Sequence, residues 1–291
     1  MRLTAWLIGL VLAWPWLVRA ELAEVLARGE LRHIAVPYGN FVTGTGDGLD
    51  VELVRGFAAH LGVRHRLVMS SFRTATRDLI GADLQPSATG ALRRGSSPVR
   101  GDLLASGFSR LPWRESAMLF SLPTFPSQVF LVAPVGNHAQ PIKPSSSPSK
   151  DVARTRALIG RQTVLLMKGT VLDPASLGLG ADQFELRFHG GEENFNELIP
   201  AMLKGDAELA LVDLPSALFE LPRWGAQIKI LGPISLPLEL AVAFPKDSPK
   251  LHAAFNEYFA GLRADGRYER LVHKYYPTAR RQYPGYFGAA Q

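Results

Sequence analysis

The sequence predicts an α/β protein made of two blocks, each a mixed, mostly parallel sheet flanked by helices, with the chain passing between them more than once. Three observations point there: a strand–helix–strand order near the start, a restart of that order after residue 160, and two apolar-faced helices near the end. Strands separated by helix-length segments favour parallel pairing, because a parallel crossover needs a long connection.

In the first block LRHIAVPYG (31–39) reads as a strand running into a turn. In DVELVRGFAAHLG (50–62) Leu53, Val54, Phe57, Ala58 and Leu61 recur at spacings of three and four and form one apolar face, with Asp50 as N-cap and Gly62 as stop. HRLVM (65–69) supplies the next strand. DLQPSATGALRRGSSPVRG (83–101), broken by Gly, Ser and Pro, reads as a surface insertion. RGDLLASGFS and FPSQVFLVAP (125–134) read as strands, and NHAQPIKPSSSPSKD (137–151) as a long polar, mobile loop.

The second block opens with GRQTVLLMKGT (160–170), a strand and Gly turn, followed by the helix NFNELIPAMLKGD (194–206) and the buried strand AELALVD (207–213), which ends in an acid. LELAVAFPKDSP (238–249) is strand and turn, and residues 251–277 carry two helices broken near Asp265 and Gly266.

Composition bounds the function. The chain has 291 residues, 47% hydrophobic and 20% charged, enough for a sizeable core in one large domain or two ordinary ones. Residues 1–20 combine Arg2, an apolar run and small Ala20, the layout of a secretory signal cleaved after Ala20; an uncleaved membrane anchor is the second reading, disfavoured by Pro15 and by a run shorter than the roughly 20 residues that span a bilayer. The absence of cysteine excludes thiol catalysis and Cys-ligated zinc, and fits a freely soluble periplasmic chain better than a disulfide-stapled module. The formal charge of +6 comes from scattered basic residues, with no aromatic-interleaved basic stripe, so nucleic acid is not an expected partner.

Catalytic signals are missing. The seven His residues form no HExxH, SGFSR holds no G-x-S-x-G elbow, and GTGDG (44–48) lacks the pattern of a phosphate or dinucleotide loop. No cofactor, metal or enzymatic activity is expected.

Polar residues at strand ends remain. Open α/β sheets bind ligands there, and several such residues suit a small zwitterion. Arg114, in SGFSRLPWRESAMLFS (106–121), offers a planar donor fork to a carboxylate, or else pairs with Glu115 or Asp102; Arg110 is the competing Arg. Asp213 presents a carboxylate to an ammonium or hydroxyl group, or caps the helix starting near Pro215. Thr170 offers a hydroxyl or simply fills its turn, Ser109 lies at the mouth of the first block, Tyr38 and Phe41 are candidate stacking aromatics of which one is as well explained by core packing, and Trp113 is a lid or a cap on Pro112. Together these describe a cleft that closes over its ligand by a hinge motion.

From about Leu31 to Pro277 the chain resembles the bacterial extracellular solute-binding proteins of the polar amino acid type, family 3. The resemblance rests on six pieces in order: LRHIAVPYGNF, GLDVELVRGFAAHLGV, GDLLASGFSRLPWRESAMLFSLPTF, IGRQTVLLMKGTVL, NELIPAMLKGDAELALVD and AVAFPKDSPKLHAAFNEYFAGLRADGRYERLVHKYYP. It implies a two-lobed periplasmic binding protein-like fold of type II. The expected division is residues 31–130 plus 238–279 as lobe 1, 131–237 as lobe 2 and 280–291 as a tail.

It also implies a periplasmic, monomeric receptor that hands an amino acid or small organic acid to an inner-membrane ABC permease. Arg114, six residues before the Phe of Phe120-Ser121, matches the family's carboxylate-holding Arg. Gly169-Thr170 matches its second-lobe turn, Asp213 its amine-binding acid, and Tyr38 or Phe41 its first-loop aromatic. Leu111 replaces the family's Thr three residues before the Arg, which removes a hydroxyl worth on the order of 1 kcal/mol to a bound carboxylate. The alternatives are a dehydratase-like enzyme on the same scaffold, with Glu115 or Asp213 as its acid, and a ligand-sensing partner of a membrane receptor. A lytic enzyme would need further chain beyond the closing helices.

Overall fold

The computed structural model describes residues 21–180, 184–189 and 195–279. The segments read above as a secretory signal and as a C-terminal tail lie outside them.

The fold is α/β with two lobes, and each lobe is organised by a five-stranded mixed sheet. In the first lobe Arg64–Met69, Glu30–Ala35 and Leu103–Leu104 run parallel, and Ala243–Pro245 and Met118–Phe120 complete the sheet with antiparallel pairings. The second lobe repeats the plan, with Leu186–Phe188, Val164–Leu166 and Leu209–Asp213 parallel and Val129–Pro134 and Ile228–Pro233 antiparallel beside them.

Between the two sheets lies a three-stranded one, in which Leu238–Leu240 pairs with Ser109–Arg110 on one side and Phe125–Ser127 on the other. Its strands Phe125–Ser127 and Leu238–Leu240 are the places where the chain leaves and re-enters the first lobe. A pair of hydrogen-bonded crossovers has the form of a hinge, a few residues that can absorb a large backbone rotation. FPSQVFLVAP and LELAVAFPKDSP, each expected to be one strand, are therefore two strands apiece, split between sheets.

The local reasons for the elements follow the sequence. The helix Leu49–His60 buries Leu53, Val54, Phe57 and Ala58 on one face. Its N-cap is Gly48 rather than Asp50, whose carboxylate is directed at a different backbone N–H (below). The closing helices Pro249–Ala264 and Arg267–Tyr275 break at Asp265-Gly266, where Gly266 adopts φ 71°, a left-handed conformation that suits glycine. Phe255, Phe259 and Tyr268 are buried, and the Phe259 and Tyr268 rings meet edge to face at 4.8 Å.

Both segments expected to be irregular contain regular structure. Asp83–Ser87 and Gly90–Arg94 form an antiparallel hairpin, anchored where Ala91 N–H donates to Ser116 Oγ at 2.8 Å. The polar stretch after Asn137 ends at Ser147, and Pro148–Ala157 is a helix with Pro at its first position, where a missing N–H costs nothing. The intervening loop is held to the second sheet by Ile142 N–H donating to Leu231 O at 2.8 Å.

Candidate functional site

Five of the seven site residues read from the sequence line one small cavity of about 20 Å³ between the lobes: Tyr38, Ser109, Arg114, Thr170 and Asp213. That is little more than the room one water needs. Phe41 and Trp113 stand behind it. Phe41 is wholly buried, stacked on Tyr38 at 5.5 Å and packed against Phe125 and Tyr276, so it supports the aromatic that lines the cavity. Trp113 backs Arg114, whose guanidinium carbon lies 5.1 Å from the indole centroid.

Arg114 sits on the short helix Pro112–Glu115, where Pro112 at the first position fixes the entry of the chain. Leu111, the residue in place of a hydroxyl, is that helix's N-cap and makes no side-chain cap. The Arg114 side chain turns inward and is 5% exposed. Its Nη1 donates to Ser109 O at 3.0 Å, and its Nε is buried without a partner. Neither expected ion pair exists: Glu115 pairs with Arg110, and Asp102 with Arg28 and Arg32 at 2.6 and 2.7 Å. Among the described residues no carboxylate pairs with Arg114. Phe108 lies 4.2 Å from the guanidinium carbon, a cation–π contact that offsets part of the desolvation. Burial alone pulls the Arg114 pKa down to about 9, so the group remains a cation at neutral pH.

The opposite wall is built differently. Asp213 ends the buried strand Leu209–Asp213 and caps the helix Leu214–Trp224, accepting from Ser216 N at 3.2 Å. Its other oxygen accepts from Tyr38 Oη of the first lobe, so this hydrogen bond spans the cleft. Burial raises the Asp213 pKa, and hydrogen bonds from Ser216 and Tyr38 oppose the shift. The Tyr38 phenol is pushed well above its usual range, first by burial and then by the Asp213 charge. Thr170 is satisfied within its own turn: its hydroxyl donates to Met167 O at 2.9 Å and accepts from Leu172 N at 3.0 Å.

Sequence reasoning missed four contributors. Phe72 and Phe195 come from opposite lobes, line the cavity, and meet at 4.8 Å. Phe108 lies inside the quoted Arg114 stretch, and only its place against the guanidinium gives it a role. Asp50, read as a helix cap, is buried and accepts from Gly107 N at 2.6 Å, fixing the turn that leads to Ser109. Gly107 is needed there: its φ is 58°, and a Cβ would stand 2.5 Å from a Tyr38 ring carbon. Asp50 Oδ1 has no partner, and burial pushes this carboxyl up to about 7. No cluster of His, Cys, Asp or Glu fit to hold a metal occurs among the described residues.

With the geometry in hand, comparisons place the chain. The family model of bacterial extracellular solute-binding proteins, family 3, matches residues 82–278, about two-thirds of the sequence. Among solved structures, a mutant of ArgBP from T. maritima aligns with TM-score 0.68 and 19% identity, covering 88% of this chain and 99% of its own. An ancestral amino acid-binding protein described as a precursor of cyclohexadienyl dehydratase gives TM-score 0.66 at 20% identity, over 88% and 99% of the two chains. The GluR0 ligand-binding core from Nostoc punctiforme, in complex with L-glutamate, gives 0.65 at 18%, over 84% and 99%.

Two curated relatives are named membrane-bound lytic murein transglycosylase F. The one from Desulfosudis oleivorans is 26% identical over 79% of this chain and 44% of its own length. The one from Alcanivorax borkumensis is 23% identical over 88% of this chain and 50% of its own. The chain thus spans about half the length of these relatives. Among the described residues no helix is long and apolar enough to cross a membrane.

Proposed function

The chain belongs to the bacterial extracellular solute-binding proteins, family 3, and from that premise we propose a periplasmic receptor that closes its lobes around a small amino acid-like or carboxylate ligand and delivers it to an ABC importer. Arg114 carries this reading. A buried cation with one carbonyl partner, an unpaired Nε and an aromatic face on one side is a costly arrangement in a resting fold, and a ligand carboxylate supplies both its charge and its hydrogen bonds.

In the proposed cycle the ligand's carboxylate meets Arg114 and its ammonium meets Asp213. Binding at Asp213 replaces the Tyr38 hydrogen bond with an ion pair, so the ligand takes over a bridge the lobes already make. The cavity's size requires the lobes to part for entry, and the paired crossovers provide the axis.

The test is a thermal-shift screen of amino acids, amines and small organic acids, followed by calorimetry on Arg114→Ala. A ligand bound only by the folded form raises the apparent melting temperature. We expect carboxylate ligands to do so in the wild type and to lose binding in the variant. Undiminished affinity in Arg114→Ala refutes the clamp.

A second reading has one observation in its favour. Asp213, its pKa raised by burial, is suited to deliver a proton to a departing hydroxyl, which is the step a dehydratase-like enzyme needs. Turnover of a prephenate-like acid, abolished in Asp213→Asn, would replace the receptor reading. Glu115, the other acid considered, is held by Arg110 and does not line the cavity.

A further inference from the structure

The side chains between Arg114 and Asp213 bear on what kind of body the ligand has. In an amino acid the carboxylate and the ammonium hang from one carbon, each about 1.5 Å from it. With the carboxylate on Arg114 and the ammonium on Asp213, the first atoms of the ligand's own side chain are therefore confined to the small cavity between them.

The walls there are apolar. The first lobe contributes Val36, Phe72, Ala75, Leu104 and Phe108, and all but Phe72 belong to one continuous hydrophobic cluster, against which Phe72 packs. The second lobe contributes Val171, which is buried, and Phe195, whose ring lies 4.9 Å from that of Tyr38. Among the lining residues only Arg114 and Asp213 carry a charge, and none has an amide side chain.

The hydroxyls at the wall have their own tasks. Ser106 Oγ accepts from Val36 N at 3.0 Å and donates to Val36 O, and Thr170 is satisfied within its turn. The Tyr38 hydroxyl donates to Asp213, and Ser109 belongs to the carboxylate end, where its carbonyl accepts from Arg114. A hydroxyl or amide on the ligand's side chain would be buried among carbons, which costs affinity, whereas methyl groups in the same place gain by leaving water. Opening along the crossovers moves the lobes as bodies, so each wall keeps its side chains while the space between them grows. The Phe72 and Phe195 rings already meet across the cleft at 4.8 Å, which favours a short side chain over a third ring.

We propose that the ligand is an aliphatic amino acid, its side chain of valine or leucine size seated between Val36, Ala75 and Leu104 of the first lobe and Val171 of the second. This rests on the clamp reading above and adds the ligand's class to it.

The experiment is calorimetric titration of the full chain with two pairs of near-isosteres, L-valine with L-threonine and L-leucine with L-asparagine, and with L-arginine. Each apolar member should bind at least about tenfold more tightly than its polar partner, since an apolar pocket discriminates against one added hydroxyl by ~100-fold at best. Val171→Thr and Ala75→Ser each place a hydroxyl in the wall, one from each lobe, with little change in size. Each should lower the valine-over-threonine ratio about threefold or more, with circular dichroism melts showing that both variants fold.

L-threonine or L-asparagine binding as tightly as its partner overturns the apolar seat, as does L-arginine binding more tightly than all four, or a valine preference unchanged in both folded variants. Where that binding still vanishes in Arg114→Ala, the clamp stands without the seat. Binding by none of the five overturns this proposal, and the wider screen of amines and organic acids then decides the clamp reading separately.

Discussion

The two walls of the cleft solve the problem of a buried charge in opposite ways. On the second lobe Asp213 is occupied at both oxygens, by a helix N-terminus and by Tyr38. On the first lobe Arg114 and Asp50 each keep a buried polar atom without a partner. A satisfied buried group contributes to the fold, whereas an unsatisfied one costs it on the order of 1–3 kcal/mol. On the proposed receptor reading the difference suggests roles: the first lobe would carry strain that a ligand relieves, and the second a latch that a ligand displaces.

The largest expected effect tests the strained side through pH. Asp50 sits at about 7 in the folded chain against an ordinary carboxyl near 4 when unfolded. The folded form therefore holds the extra proton between these values, and this contribution to stability is fully present below pH 4 and lost as pH rises through 7. Three units correspond to a loss of about 4 kcal/mol. His33 runs the other way: burial lowers it to about 3, so its contribution is present above the ordinary His range and lost as pH falls through that value. His65, lowered to about 4 chiefly by burial, behaves likewise.

The difference between wild type and Asp50→Asn isolates the carboxyl from the histidines. Urea titrations at pH 4 and pH 8 should show the variant gaining on the wild type by about 4 kcal/mol across that interval. An unchanged difference would mean that the carboxyl under Gly107 is hydrated and not strained.

Next in size is the latch. Tyr38→Phe keeps the ring against Phe41 and Phe195 but leaves one Asp213 oxygen buried without its donor. The expected cost is about 2 kcal/mol in chemical denaturation, together with a larger radius of gyration by small-angle scattering as the lobes lose their bridge. A destabilised variant with unchanged dimensions would assign the hydrogen bond to folding alone.

Much of this was legible in the sequence because each local signal agreed with its neighbours. The 3/4 spacing in 53–61 and the acid closing AELALVD need no tertiary knowledge. Arg114 was legible because a charged residue beside Trp and Pro, between apolar runs, has few uses in a core. The misreadings came from long-range contacts. Asp50 has the chemistry of a helix cap, but its partner Gly107 lies 57 residues away. FPSQVFLVAP carries no turn signal strong enough to divide it, and which sheet each half joins depends on strands far along the chain. The 83–94 hairpin carries no apolar alternation because both its faces are largely exposed, so only Ser116 and the helix beside it show where it sits. The cross-cleft bond was invisible for the same reason: Tyr38 and Asp213 are 175 residues apart.

The smallest effect has the opposite sign and separates stability from function. In Arg114→Met an unbranched apolar side chain of similar length can lie along Phe108 and Trp113, removing the buried cation and its unpaired Nε. One hydrogen bond, to Ser109 O, is lost. That loss costs on the order of 1 kcal/mol, and removing an uncompensated buried charge returns more, so the fold should gain about 1 kcal/mol in urea titration while carboxylate binding disappears from calorimetry. Functional sites commonly hold a residue the fold alone would not select. A variant that loses both stability and binding would show instead that the guanidinium is a structural part of the first lobe, and the contrast between the two walls would then collapse.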